Sequence, residues 1–317
     1  MTSTGKGALF NRVALIGIGL IGSSISHAMR RHGLAGSIVG HAQSAATRET
    51  ALRLGLVSAA YATAAQAVAG ADLVILCVPV GACGAVAAEI GPHLANGAIV
   101  TDVGSVKGAI VRDVGQHLPE HVHFVPGHPI AGTEYSGPES GFASLFDNRW
   151  CVLTPPPGTD PAATAKLKAL WEAMGSNVEV MTPEHHDLVL AITSHVPHLI
   201  AFNIVNTAAH LERVTDSEVI KFSAGGFRDF TRIAASDPTM WRDVFLNNKE
   251  AVLEMLGRFT EDLVHLQRAI RYGDADTLFH LFGEARAIRK GVIQAGQDTA
   301  APNFGRETGV DGSGTKG

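Results

Sequence analysis

Between Arg12 and Met181, short apolar runs alternate with longer alanine-rich stretches of helical character. Arg12 to Ile16, Ser37 to Gly40, Leu73 to Val78, Ala98 to Asp102 and Val178 to Met181 read as strands. Runs this short and this apolar suit strands covered on both faces. Ser23 to His32 and Ala162 to Met174 read as helices, the second expected to pack on the sheet as its last helix. Strand and helix in alternation predict a parallel sheet with crossover helices.

The pattern changes at Thr182-Pro183-Glu184, a helix-start signal after which no convincing strand occurs. Glu184 to His210 is apolar almost all round, which predicts a buried helix, kinked where Pro197 interrupts it. Val252, Leu256, Phe259, Leu263, Leu266 and Ile270 then repeat at alternating spacings of four and three. Such a heptad-like seam suits helix packing within a domain or between subunits. The expected organisation is a disordered N-terminus over 1–10, an α/β domain over 11–182, an all-helical domain over 183–298, and a glycine-rich, polar, disordered tail over 299–317.

The first strand runs into Gly17-Ile18-Gly19-Leu20-Ile21-Gly22 and then a helix, the setting that GxGxxG requires. Gly17 permits the tight turn, Gly19 admits a pyrophosphate to the backbone, and Gly22 lets helix and strand pack closely, with the helix N-terminus facing the phosphate. This makes the first domain Rossmann-type, with Val78 and Pro79 after the Leu73 strand beside the same turn. The second strand ends in Gly40-His41-Ala42-Gln43-Ser44, without the Asp or Glu that holds an unphosphorylated ribose. Ser44 and Arg48 could meet a 2′-phosphate and His41 and Gln43 a plain ribose, so both NAD and NADP stay open.

Length and composition narrow the class. A chain of 317 residues, 46% hydrophobic and 17% charged, is long enough for two domains of an ordinary globular enzyme. Its net charge of -5 and pI near 6.3 argue against a nucleic-acid or membrane-surface partner. The three cysteines have no paired spacing, which points to a reduced, cytoplasmic compartment. The first ten residues lack the apolar core of a signal peptide, and no apolar run of membrane-spanning length is read elsewhere, so the protein is expected to be soluble.

Candidate chemistry gathers around Val125 to Gly137, VPGHPIAGTEYSG. Its glycines and proline predict a loop that presents His128 and Glu134. Ser105, between a strand end and a helix, suits either an N-cap or a hydroxyl facing the same crevice as His128. Ser194, His195 and His198 flank Pro197 on an apolar helix, where polar groups need partners in the core, at an interface or in a site. A metal site is disfavoured because no nearby carboxylate completes a ligand set. In AGGFRDFTR, Ala224 to Arg232, a glycine loop opens a short helix with Arg228 and Arg232 on one face, either solvated or clamping a dicarboxylate.

Taken in order, GIGLIG at Gly17, TDVGSVK at Thr101, GHPIAGTE at Gly127, SHVPH at Ser194, GGFRDFTRIA at Gly225 and SDPTMW at Ser236 make the chain resemble the prephenate and arogenate dehydrogenases of tyrosine biosynthesis, from about Asn11 to Gln297. The resemblance implies a dinucleotide-binding domain, a helical domain that forms a homodimer, and oxidative decarboxylation of prephenate or arogenate. In that reaction hydride leaves ring C4 for NAD or NADP, carbon dioxide leaves C1, and the ring becomes aromatic. It also implies roles: His128 as the base on the C4 hydroxyl, Ser105 orienting it, Arg232 on a substrate carboxylate, and Ser194 and His198 near the side chain. His195, Glu134 and Trp241 match positions around the pocket, and Arg228 stands where some members have lysine. A β-hydroxy-acid or imino-acid dehydrogenase, or a dinucleotide sensor without chemistry, would share the glycine turn but would not account for GHPIAGTE together with GGFRDFTR.

Overall fold

The computed structural model describes residues 7–133, 135–212 and 225–294, so the expected tail over 299–317 lies outside the described residues. Strands β1 (Phe10–Ile16), β2 (Ala35–His41), β3 (Ala59–Tyr61), β4 (Leu73–Leu76), β5 (Ile99–Asp102) and β6 (His123–Phe124) form one sheet in the order β3-β2-β1-β4-β5-β6. Every pairing in it is parallel. Helices α1 (Leu20–Arg31), α2 (Ala45–Arg53), α3 (Ala64–Val68), α4 (Cys83–Ile90) and α5 (Lys107–Gly115) lie between the strands in the chain. After β3 the chain returns across β1 to form β4. That reversal opens a crevice at the carboxyl ends of β1 and β4.

The sequence pattern follows from this layering. β4 is buried at every position and therefore reads as unbroken Leu-Val-Ile-Leu. It stops at Leu76, so Cys77-Val78-Pro79 leaves the sheet and passes beside the glycine turn. β1 begins at Phe10, fully buried and one residue ahead of the expected start of the domain.

A second sheet corrects the loop expected around His128. β7 (Gly127–Pro129) pairs antiparallel with β8 (Trp150–Leu153), which runs parallel to β9 (Asn177–Val180), and His128 lies opposite Val152. Gly127 and Pro129 resemble turn residues, but β7 has a single partner strand, and an edge strand tolerates proline. α6 (Pro161–Ala173) buries Leu167, Leu170 and Trp171 in the core that also holds Phe10, Val13, Cys151 and Leu153.

Thr182 then caps α7 (Pro183–Leu190), its hydroxyl accepting from His185 N at 3.2 Å. The helix continues through a π-helical turn, Ala191–His195, into α8 (Val196–Glu212). Pro197 has no N–H for the Thr193 carbonyl and its ring crowds it, and the wider turn just before the proline accommodates both. The burial expected for this helix is incomplete: Leu188, Ile192 and Ile204 are exposed, and 28% of its most apolar window is buried within the chain. Pro183–His210 is long and apolar enough to cross a membrane by length and composition. Its polar residues His186, Asp187 and His195 are nonetheless buried in protein contacts.

Beyond residue 224 come α9 (Gly225–Thr231), a 3-10 turn at Arg232–Ala235, α10 (Pro238–Asn247), α11 (Lys249–Tyr272) and α12 (Ala275–Gln294). The heptad-like seam lies on α11. Val252 is buried, whereas Leu263 and Ile270 are exposed, the latter 67%. On α12, Phe279 is 83% exposed, and Phe282 and Ile288 are also uncovered. Within one chain this apolar stripe is only partly covered.

Candidate active site

The glycine turn joins β1 to α1. Gly17 has a φ of +100°, and a Cβ there would collide with the Cys77 carbonyl. A Cβ on Gly22 would collide with the Gly17 carbonyl, while one on Gly19 would meet nothing within 4 Å. The outer glycines therefore let the chain pack on itself, and the middle one faces open space where a pyrophosphate can reach the backbone. The N-cap, Gly19, brings no side-chain acceptor, and no acidic residue occupies the first turn containing Leu20, Ile21 and Gly22. The α1 N-terminus thus keeps its affinity for an anion, and the residues present fit a dinucleotide. Val78 borders the Gly17 turn and Pro79 lies exposed beside it.

At the end of β2, His41 Nδ1 lies 3.0 Å from the Tyr61 carbonyl, Gln43 is exposed, and Ser44 caps α2 by accepting from Thr47 N. Arg48 Nη1 donates to the Ala42 and Gln43 carbonyls at 2.6 and 2.9 Å. The loop after β2 is thus held by a guanidinium and contains no carboxylate.

The residue before His128 is clamped by a buried ion pair. Lys107 Nζ bonds Asp102 Oδ2 and donates to the Gly127 carbonyl at 2.7 Å, while Asp102 Oδ1 accepts from Gly127 N at 3.2 Å. Both charged side chains are fully buried. Breaking such a pair from one side leaves an uncompensated charge, so β7 is fixed against β5 and the start of α5.

His128, itself buried, places Nδ1 2.8 Å from His186 Nε2, and His186 Nδ1 lies 2.8 Å from Asp187 Oδ1. Asp187 also accepts from Lys107 N at 2.7 Å and Gly108 N at 2.8 Å, and so caps α5 from the helical half of the chain. This corrects the N-cap reading of Ser105: Val106 is the N-cap position, without a side-chain bond, and Ser105 is half-buried on the approach to α5.

His195 is fully buried, with Nδ1 3.1 Å from Asn248 Nδ2, which also donates to the Asp187 carbonyl at 2.9 Å. The Ser105 main-chain carbonyl favours a proton on His195 without closing a hydrogen bond to Nε2, which has no partner among the described residues. His198 donates from Nδ1 to the Ser194 carbonyl at 2.8 Å and stacks on Trp241, with ring centroids 3.7 Å apart. Trp241 packs with Val244 in the cluster that holds Val80 and Cys83, joining α10 to the β4 end of the sheet.

The arginines are less convergent than expected. α9 ends at Thr231, so Arg232 opens the 3-10 turn instead of sharing a helical face with Arg228. Arg228 pairs with Asp229 at 3.0 Å in an exposed position, whereas the charge of Arg232 reaches His198 and depresses its pKa after burial has already done so. Glu134 lies outside the described residues.

Electrostatics keep the centre neutral. Burial drives His128 well below the ordinary histidine value, and neighbouring His186, Lys107 and His195 push the same way. His186 is lowered by burial against the opposing pull of its Asp187 hydrogen bond. His195 falls to about 4, again mainly through burial. A neutral imidazole with one free nitrogen can accept a proton.

Comparison with known proteins decides the family. A family model described as prephenate dehydrogenase, nucleotide-binding domain, matches residues 25–180, and one described as prephenate dehydrogenase, dimerization domain, matches residues 182–284. The chain belongs to the prephenate dehydrogenase family. It is 41% identical to the cyclohexadienyl dehydrogenase of Zymomonas mobilis, covering 89% of this chain and 96% of that protein. It is 35% identical to the prephenate dehydrogenase of Bacillus subtilis, covering 92% and 78%. The structure of Aquifex aeolicus prephenate dehydrogenase in complex with hydroxyphenyl propionate and NAD+ aligns with a TM-score of 0.83 at 36% identity, over 89% of this chain and 98% of that one. Membership makes the chain an oxidoreductase dependent on a nicotinamide dinucleotide, and the glycine turn suits such a ligand.

Five residues bonded around His128 and His195 escaped the candidates drawn from sequence: Asp102, Lys107, His186, Asp187 and Asn248. The first two stand inside TDVGSVK, where a strand-end carboxylate and a helix-start lysine gave a signal. His186 and Asp187 hide near the start of α7, where polar residues look like ordinary helix-start chemistry. Asn248, between two helices, gives none.

Proposed function

We propose that the chain oxidatively decarboxylates prephenate or arogenate, with His128 as the base at the C4 hydroxyl. The observation that carries this reading is the buried, neutral His128, hydrogen-bonded through Nδ1 and held by Asp102 and Lys107 at the carboxyl end of β5. When bound, the nicotinamide supplies the acceptor for the hydride leaving C4. His128 Nε2 takes the hydroxyl proton as the C4 carbonyl forms. The electron pair of the C1–carboxylate bond enters the ring as carbon dioxide departs, and the proton returns to the phenol oxygen, so no net proton is consumed.

Arg232 provides positive charge for a substrate carboxylate, near enough to His198 to lower its pKa, while His198 stacks on Trp241. Ser105, Ser194, His195, Glu134 and Arg228 complete the proposed pocket. The loop with His41, Gln43 and Ser44 receives the adenosine ribose, and the absence of a carboxylate there admits NADP as well as NAD. The partly covered stripe on α11 and α12 supports a homodimer, and the unpaired cysteines support a cytoplasmic location. The decisive assay follows reduced nicotinamide formation with prephenate and arogenate, each against NAD and NADP. Turnover in one or more pairs is expected; none in all four, from folded protein that binds cofactor, would overturn the proposal.

A further inference from the structure

Asp187 stands at the root of two hydrogen-bond chains that end on different histidines. Its carboxylate already receives two main-chain N–H groups, from Lys107 and Gly108, and so meets His186 as an acceptor. His186 Nδ1, 2.8 Å away, therefore carries the ring hydrogen, and His186 Nε2 keeps a lone pair. That lone pair is 2.8 Å from His128 Nδ1. The hydrogen of His128 is then on Nδ1, and its Nε2 is left as the acceptor.

The second chain starts at the Asp187 main-chain carbonyl. A carbonyl only accepts, so the Asn248 atom 2.9 Å away is the amide nitrogen. The same NH2 group lies 3.1 Å from His195 Nδ1, which must accept. His195 thus carries its hydrogen on Nε2, the buried atom without a partner among the described residues.

We infer that Asp187 is a positioning residue that sets His128 and His195 in opposite tautomers, the first a proton acceptor through Nε2 and the second an N–H donor directed at the Ser105 main-chain carbonyl. This rests on the reading of His128 as the base. It gives His186, in the first turn of α7, a purpose that core packing does not supply. It also ties the base to the joint between the two halves of the chain, because the carboxylate that orients His186 is the one that caps α5.

The test is heteronuclear NMR of histidine-labelled full-length protein, which reports which ring nitrogen bears hydrogen, combined with kinetics. In the unmodified protein, hydrogen on Nδ1 of His128 and on Nε2 of His195 is expected. His186→Phe should lower kcat by about 10²- to 10⁴-fold, the scale of a lost or wrongly protonated base, with KM and cofactor affinity little changed. His186→Gln, whose amide oxygen can accept the same hydrogen, should recover much of that loss. Finding the hydrogen of His128 on Nε2 in the unmodified protein, or full kcat in His186→Phe, would overturn the inference. The NMR result needs no variant to fold and no turnover. Full activity in His128→Asn would overturn the base reading alone and leave the tautomers still measurable.

Discussion

The dinucleotide turn and the histidine centre lie at the same end of the sheet but are made of opposite materials. The turn is backbone: glycines whose missing side chains let β1, α1 and Cys77 approach one another. The centre is side chain: a buried ion pair, two linked histidines and a carboxylate drawn from β5, α5, β7 and α7. A backbone site tolerates most neighbouring changes and fails when an atom is added. A side-chain network fails when an atom is removed, because each buried group depends on the next for satisfaction.

The largest expected break is His128→Asn. It removes the proton acceptor and should lower kcat by about 10²- to 10⁴-fold, while cofactor affinity, set at the turn, stays close to unchanged in titration. Lys107→Met strips the partner from buried Asp102 and frees the Gly127 carbonyl. It should cost about 3 to 5 kcal/mol in denaturant unfolding, and a loss under about 1 kcal/mol would show that the pair is not carrying β7.

Arg232→Ala probes the open side of the centre. Loss of a charge-assisted contact should raise the substrate KM by about ten- to hundredfold with little change in stability. Gly22→Ala tests the backbone site by adding one methyl against the Gly17 carbonyl. A cost of about 1 to 3 kcal/mol is expected, together with weaker cofactor binding and a surviving His128 environment.

The response to pH tests the same centre without a substitution. His128, His186 and His195 are all held below the unfolded histidine value of 6.5, chiefly by burial. Below that pH the unfolded chain binds more protons than the folded one. Stability is therefore complete above about pH 6.5 and falls on acidification, by up to about 1.4 kcal/mol per pH unit for each histidine. For His195 the fall ends near its folded value of about 4. Urea midpoints that do not change between about pH 7.5 and about pH 5 would contradict the neutral, buried centre.

The same contrast explains what could be read from the chain. Residues 17–22 were legible because the glycine spacing falls between an apolar strand and a helix, within alternating strands and helices. The parallel strands were legible because burial on both faces leaves an unbroken apolar run. His128 was found as a residue but placed on a loop, since nothing in Gly127 or Pro129 announces the pairing with β8, whose residues come more than twenty positions later. Of the two roles open to Ser105, the helix cap fell away because the true cap, Asp187, arrives from 80 positions away. Arg228 and Arg232 were given one helical face because their spacing fits a helix, but α9 stops between them.

Sequence by itself determined the α/β half, the helical half, the glycine turn and the family, all of which rest on local propensity, apolar period or ordered motifs. Tertiary structure alone decided that Asp102 and Lys107 hold Gly127, that His186 stands between His128 and Asp187, and that Asn248 faces His195. Those choices depend on which distant polar groups burial leaves without water. Each buried donor must then find its acceptor wherever the fold brings one within reach.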